Sequence, residues 1–397
     1  GSTSTSLSVI VPLGASYQYI SVTDAVTKFT GYSLLPFVVT YPTTTGSFND
    51  FAPAVNFGTG TASTFNQQVI KDFNKDGKPD VVVATTTGLY LLTNRTTTGS
   101  TALSFTAQVL ALALNIRALA ADDLDGDGMP DLALNQTTGN LFLVYKNVSA
   151  VGGNIRFRNA GISLASAAFY SVAINDIDSD GRPDVVMGGN NGTLVYIYRN
   201  TSASGSINFD PYVLNVPTVG GAGLTIAVGD IDGDGKPDLA TANYQSPNVY
   251  ILRNTSTGPG SITFASPINL TTALGSPGSV SIAFGDFNGD NKLDILVDNY
   301  ASGSNVSIFL NRATSGTITA GSFSSSVLGI ASASEGVTVG DVNGDGKVDL
   351  VAASYVGNTV VSVLKNTSTS TLSATFDRYV AYTDASGTAG FDGNNVS

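Results

Sequence analysis

Nine residues near the middle of the chain, Asp230-Ile-Asp-Gly-Asp-Gly-Lys-Pro-Asp238, carry four carboxylates at close, mostly alternating spacing. Alternate side chains in a tight loop converge on one point. Asp230, Asp232, Asp234 and Asp238 supply the oxygens. Gly235 permits the sharp turn, because it lacks a Cβ and tolerates positive φ. The turn aims the backbone carbonyl of Lys236 inward as a further donor. Hard oxygen donors in this number suit Ca²⁺, which takes roughly 6–8 oxygens. Mg²⁺ prefers an octahedron that keeps several waters, and fits less well.

The loop occurs six times, with first positions 51 to 56 residues apart. The first copy offers Asp72, Asn74, Asp76, the Lys78 carbonyl and Asp80. The second offers Asp123, Asp125, Asp127, the Met129 carbonyl and Asp131, and the third Asp176, Asp178, Asp180, the Arg182 carbonyl and Asp184. After the fourth come Asp286, Asn288, Asp290, the Lys292 carbonyl and Asp294, then Asp341, Asn343, Asp345, the Lys347 carbonyl and Asp349. Asparagine at the third position (Asn74, Asn288, Asn343) is still an oxygen donor. Asn291 alone replaces the turn glycine, and asparagine is the best substitute in left-handed geometry. A single copy could be a surface turn that binds nothing. Six copies in phase predict six Ca²⁺ sites.

Composition narrows the chemistry. The chain of 397 residues has no cysteine, histidine or tryptophan, so disulfides, thiols and the commonest general bases are missing. Of its 30 acidic residues, 21 lie in the six loops, and Glu335 is the one glutamate. Six bound Ca²⁺ would offset the formal net charge of −12. No basic stripe marks a nucleic-acid partner, and no run of 18 apolar residues encodes a membrane span.

Short apolar runs position the loops. In the fourth copy Leu224-Thr-Ile-Ala-Val228 precedes the loop and Asp238-Leu-Ala-Thr-Ala242 follows it. Asn248-Val-Tyr-Ile-Leu252, a turn over 253–258 and Ile262-Thr-Phe-Ala-Ser266 complete the unit. Runs rich in Val, Ile, Tyr and Phe, bounded by Gly, Asn and Ser, read as strands. Four strands per repeat of about 50 residues is the pattern of a propeller blade. Second and third strands apolar on both faces (Val81-Val-Val-Ala84, Leu141-Phe-Leu-Val-Tyr145) fit blades packed face to face.

Residues 1–60 read as a degenerate blade. Ser33-Leu-Leu-Pro-Phe-Val-Val39 matches a third strand and Phe51-Ala-Pro-Ala-Val-Asn-Phe57 a fourth, while Thr23-Asp-Ala-Val-Thr-Lys28 stands where the metal loop should be and cannot chelate. With six loop-bearing blades over 61–383, the expectation is one all-β, seven-bladed β-propeller domain over 1–397. A last fourth strand is expected over 375–380. The tail 384–397 resembles the start of another repeat, which either closes the ring or belongs to a longer chain.

Val228-Gly-Asp-Ile-Asp-Gly-Asp-Gly-Lys-Pro-Asp-Leu239 and its counterparts resemble the FG-GAP (VCBS-type) repeats of integrin α-subunit propellers and of bacterial surface proteins, over roughly residues 60–380. The resemblance implies a seven-bladed propeller with Ca²⁺ between the first and second strands of each loop-bearing blade. It further implies metal loops on one face and ligands often bound at the other. It names no ligand, since one scaffold serves adhesins, lectins, lyases and spacers. A fungal lectin group shares the architecture, but no matching sugar-site motif is present.

The leading functional expectation is an extracellular or cell-surface binding module for a carbohydrate or protein, monomeric within a longer chain. Loops between second and third strands lie opposite the metals. The last three repeats place Asn243-Tyr244, Asn299-Tyr300 and Tyr355 there, amides beside aromatic rings that suit sugars or peptides. The competing reading is that these tyrosines only pack against the next blade. A spacer and a polysaccharide lyase or hydrolase are the alternatives. The acids outside the loops, including Asp24, Asp50, Asp122, Asp210, Asp298 and Glu335, would have to build any glycosidase pair. Asn94, Asn147, Asn200, Asn254 and Asn366 begin Asn-X-Ser/Thr triplets after the third strand, and their shared register points to turn chemistry rather than glycan attachment.

Overall fold

The computed structural model describes residues 18–23, 30–37 and 65–383, apart from 101, 166–168, 191, 204, 218–222, 273–280, 301–302, 355–359 and 378–379. Among the described residues stand six four-stranded antiparallel sheets, each ordered first, second, third, fourth strand. These six blades span 65–112, 116–165, 169–215, 224–271, 282–329 and 334–383. Sequential antiparallel strands need only short connections. The first strands of successive blades lie beside one another in chain order, from Phe65–Lys71 to Ser334–Gly340.

The expectation of seven blades is corrected to six. Before Phe65 the described sheet has two strands, Gln18–Thr23 paired with Thr30–Phe37. The second of these overlaps the run 33–39, here a hairpin partner rather than a third strand. The sequence around it supplies a physical reason. Each of the six blades ties its second strand to its third through the last aspartate of the metal loop, and Thr23 to Lys28 contains no equivalent. The run 51–57 and the tail 384–397 lie outside the described residues.

Fourth strands begin later than their apolar runs suggest. In the fourth blade the ladder is Ile268–Thr271, while Phe264 makes an isolated bridge to Asn254. In the sixth, Phe376 bridges Asn366 and the strand is Val380–Thr383.

The apolar clusters lie between blades. Val82, Ala84, Leu89 and Leu91 of the first blade pack with Ile116, Leu119, Leu132 and Leu134 of the second. Equivalent clusters join the second to the third, third to fourth, fourth to fifth and fifth to sixth. Full burial of one such side chain contributes about 1.5–3 kcal/mol. Because the faces at these five junctions are shared, the acidic loops at the blade ends are held against their neighbours.

Candidate metal centres

All six acidic loops fold alike. At the first position, one carboxylate oxygen accepts the backbone N–H of position five and the other that of position six. In the fourth loop these are Asp234 N–H to Asp230 Oδ1 at 3.1 Å and Gly235 N–H to Asp230 Oδ2 at 2.8 Å. The third-position oxygen also accepts position five, and the fifth-position carboxylate accepts position seven, as in Lys236 N–H to Asp234 Oδ1 at 3.0 Å. The sixth residue takes positive φ in every copy, 88° at Gly235 and 63° at Asn291. Asparagine there keeps the turn, and the Asn291 N–H reaches Asp286 at 2.8 Å like its glycine counterparts. The fourth position is left-handed as well, including the non-glycine Lys75 and Ser179.

In three of the six loops carboxylate oxygens converge, and only in the third does the group include the ninth aspartate. Asp123, Asp125 and Asp127, then Asp176, Asp178 and Asp184, then Asp230, Asp232 and Asp234 each bring three carboxylate oxygens within 4.8 Å of one another. A carboxylate has about four lone-pair sites, so an oxygen holding one N–H still has capacity for a cation. The donor set therefore fits a hard cation, with Ca²⁺ the best match. Position seven contributes its N–H to the fifth carboxylate in each copy, through Lys78, Met129, Arg182, Lys236, Lys292 and Lys347. These side chains are not all solvated: the Lys292 and Lys347 ammonium groups donate to the carbonyls of Ala313 and Ser368 at 2.6 and 2.7 Å.

The ninth position does more than face a cation. Asp80, Asp131, Asp184, Asp238, Asp294 and Asp349 are all 0% exposed. Each accepts the N–H of its own position two and the N–H of an asparagine at or just past the end of the third strand, as Asp238 does from Ile231 at 3.0 Å and Asn254 at 2.7 Å. Burial, and secondarily the neighbouring carboxylates, hold these groups far above the ordinary value, against the opposing pull of the two N–H donors. Asp80 and Asp349 are pushed up to about 6, and Asp131, Asp238 and Asp294 to about 8.

Two roles escaped the sequence reading. One is a cation just before the third-strand asparagine. Arg253 Nε and Nη2 meet Asp232 at 2.7 Å and Asp234 at 2.8 Å. Arg199 bridges Asp178 and Asp180, Lys146 bridges Asp125 and Asp127, and Lys365 reaches Asp345 at 3.1 Å. The first and fifth loops, with Thr93 and Leu310 there, have only three carboxylates. All three loops with aspartate at position three have the bridging cation, so the extra charge is matched locally.

The other set is the asparagines themselves. Asn94, Asn147, Asn200, Asn254, Asn311 and Asn366 are buried, and each amide donates to the carbonyl of position eight of its own loop. Their Oδ1 atoms accept the N–H two residues on, the Asx turn that the triplets suggest. Buried this way, the five triplet asparagines are not presented for glycan attachment. Asn311 shares the register without belonging to a triplet, which is the sequence signal that could have identified the role.

At the opposite blade ends, Asn243 and Asn299 are buried. The Asn299 amide donates to Asn305 Oδ1 at 2.8 Å and Ser307 Oγ at 3.0 Å, and Asn243 donates to the Gly192 carbonyl at 3.4 Å. Tyr244 is 38% exposed, and its ring centroid lies 5.3 Å from that of Tyr300 on the next blade. Tyr355 lies outside the described residues.

Four-stranded blades with an oxygen-rich loop between first and second strands define a repeat β-propeller. More particularly, the chain belongs to the FG-GAP repeat family. The FG-GAP-like repeat matches residues 72–134, 176–241 and 230–297, and the FG-GAP repeat matches 334–370. Integrin alpha-6 of Gallus gallus is 33% identical over 132 residues, which is 30% of this chain and 12% of that protein's length. A solved Agrocybe aegerita lectin, described as recognising non-reducing terminal N-acetylglucosamine, superposes with a TM-score of 0.53 at 18% identity, covering 81% of each chain. At that identity the likeness concerns the fold alone. Among the described residues no helix is long and apolar enough to cross a membrane.

Proposed function

We propose that this propeller is a calcium-stabilised, non-catalytic binding module that works outside the cell or at its surface. Ca²⁺ fills the six acidic loops, and a carbohydrate or protein ligand binds the opposite face. The ring pair of Tyr244 and Tyr300 carries the second half of this reading. It spans two blades at the end away from the metals, with Tyr244 partly exposed. A tyrosine pair offers an apolar face and hydroxyl groups at low entropic cost. Asn243 and Asn299 serve this site by holding the loops that present the rings, since their amides are spent inside the fold. The similarity to integrin alpha-6 supports a surface role in recognition.

The test is display of the calcium-loaded protein on a glycan array and on an immobilised-peptide array. Binding that disappears in Tyr244→Ala and Tyr300→Ala supports the reading. Binding that survives both substitutions moves the site elsewhere, and no binding on either array favours a spacer.

A further inference from the structure

The metal loops are wired to one another. In each loop the second residue donates its N–H to the ninth aspartate, and the asparagine of the same blade donates its N–H to the other oxygen of that aspartate. The amide of that asparagine then crosses to the preceding blade. Asn147 donates to the Phe73 carbonyl at 2.8 Å, Asn200 to Leu124 at 2.8 Å and Asn254 to Ile177 at 2.8 Å. Asn311 donates to Ile231 at 2.7 Å and Asn366 to Phe287 at 3.0 Å. Every acceptor is position two of a metal loop. The result is an unbroken run of hydrogen bonds from Asp80 to Asp349, passing through all six loops and five blade junctions.

A second contact crosses the junctions in the same direction. The turn between third and fourth strands of one blade lies on the loop of the blade before it. Gly260 N–H donates to Asp178 Oδ2 at 2.6 Å, Asn74 Nδ2 donates to the Gly153 carbonyl at 2.8 Å, and Asn288 Nδ2 donates to the Thr371 carbonyl at 2.7 Å. In the last loop Asn343 is 6% exposed, and among the described residues its Nδ2 has no hydrogen-bond partner.

We propose that this belt couples the loops, so that a Ca²⁺ ion filling one loop raises the affinity of the loop in the adjoining blade. The coupling follows from geometry. Closing positions one, three and five around a cation fixes the peptide of position two between them. That peptide's carbonyl is the anchor for the neighbouring asparagine, which in turn sets the ninth aspartate of the next loop. Couplings between sites typically change affinity by about 5- to 150-fold. The proposal rests on the reading of the loops as Ca²⁺ sites, and it makes the ring fill cooperatively instead of site by site.

Asn94 provides the control. It makes the same in-blade bonds, to the Pro79 carbonyl and from the Thr96 N–H, but among the described residues its amide reaches no preceding loop. The metal-stripped full chain, Asn94→Ala and Asn254→Ala are each titrated with CaCl₂ by calorimetry. The wild-type isotherm is expected to be steeper than independent sites allow. Asn254→Ala should flatten it toward a Hill coefficient of one, while Asn94→Ala keeps the slope. Should Asn254→Ala not fold, Asn147→Ala breaks a terminal junction and is compared in the same way. Full stoichiometry with no cooperativity in the wild type, or equal slopes in the two variants, would overturn the belt. No binding in any protein removes the calcium reading itself, and the coupling with it.

Discussion

The two ends of the blades obey different rules. At the metal end, six loops repeat one hydrogen-bond pattern, with ninth-position aspartates and third-strand asparagines buried in every copy. At the other end, the corresponding connections read Thr85-Thr-Thr-Gly88, Asn190-Asn-Gly192, Asn243-Tyr244 and Asn299-Tyr300, so the Asn-Tyr pair recurs in two of them and no single pattern runs through all. One end is committed to holding the ring together. The other is a set of separate connections on a rigid scaffold, where recognition commonly resides. Changes at the first end should therefore cost stability, and changes at the second should cost binding.

Removing metal should have the largest effect. One site held at 100 times its Kd contributes about 2.7 kcal/mol, so several sites together rival the roughly 5–15 kcal/mol of a typical domain. The melting temperature should fall steeply on metal stripping at low salt and less at high salt, where carboxylate repulsion is screened. Scanning calorimetry at both salts checks this. An equal fall at both salts would remove the repulsion argument.

Next in size is Asp238→Ala. In the calcium-loaded protein, where the cation keeps the group ionised, it deletes two buried bonds between backbone N–H groups and a carboxylate, each worth about 1.5–3 kcal/mol, so a loss of roughly 3–6 kcal/mol is expected by chemical denaturation. A loss below about 1 kcal/mol would mean that the clasp is ornamental and that the contrast between the ends fails.

Acidity provides a graded test of the same end. Five ninth-position carboxyls (Asp80, Asp131, Asp238, Asp294 and Asp349) have folded values near 6 to 8, above the ordinary 3.8, and burial raises Asp184 as well. A group raised on folding stabilises below its unfolded value and loses that contribution as pH rises through its folded value. The metal-free protein should therefore melt at progressively lower temperature between about pH 4 and 8, and calcium should flatten the trend. Melting of metal-stripped protein across that range decides it, and a rising trend would contradict the burial argument.

The smallest stability change should come from Tyr300→Ala, at the far end. Its melting curve with calcium should shift much less than that of Asp238→Ala, while ligand capture falls. A loss of several kcal/mol, as core truncations give, would make the tyrosine pair packing.

Much of this was legible in the sequence, because oxygen donors, turn glycines and repeat length are local signals. The left-handed Asn291 followed from side-chain type alone. The ring size did not. Counting runs such as 33–39 and 51–57 as strands gave a seventh blade, but apolar runs do not specify which strands pair. The belt was hidden for a related reason. Asn254 looks like a turn residue in its own segment, and its bond to Ile177 crosses 77 residues. The bridging role of Arg253 was likewise concealed by separation, since it lies 21 residues from Asp232.

Native mass spectrometry of the full chain, stripped of metal and then equilibrated with Ca²⁺, counts the bound ions one by one. Discrete calcium adducts should rise to six per chain, with Asp230→Ala removing one. A chain that stays free of calcium, or takes it up without saturating and without regard to the Asp230 substitution, would contradict the calcium reading.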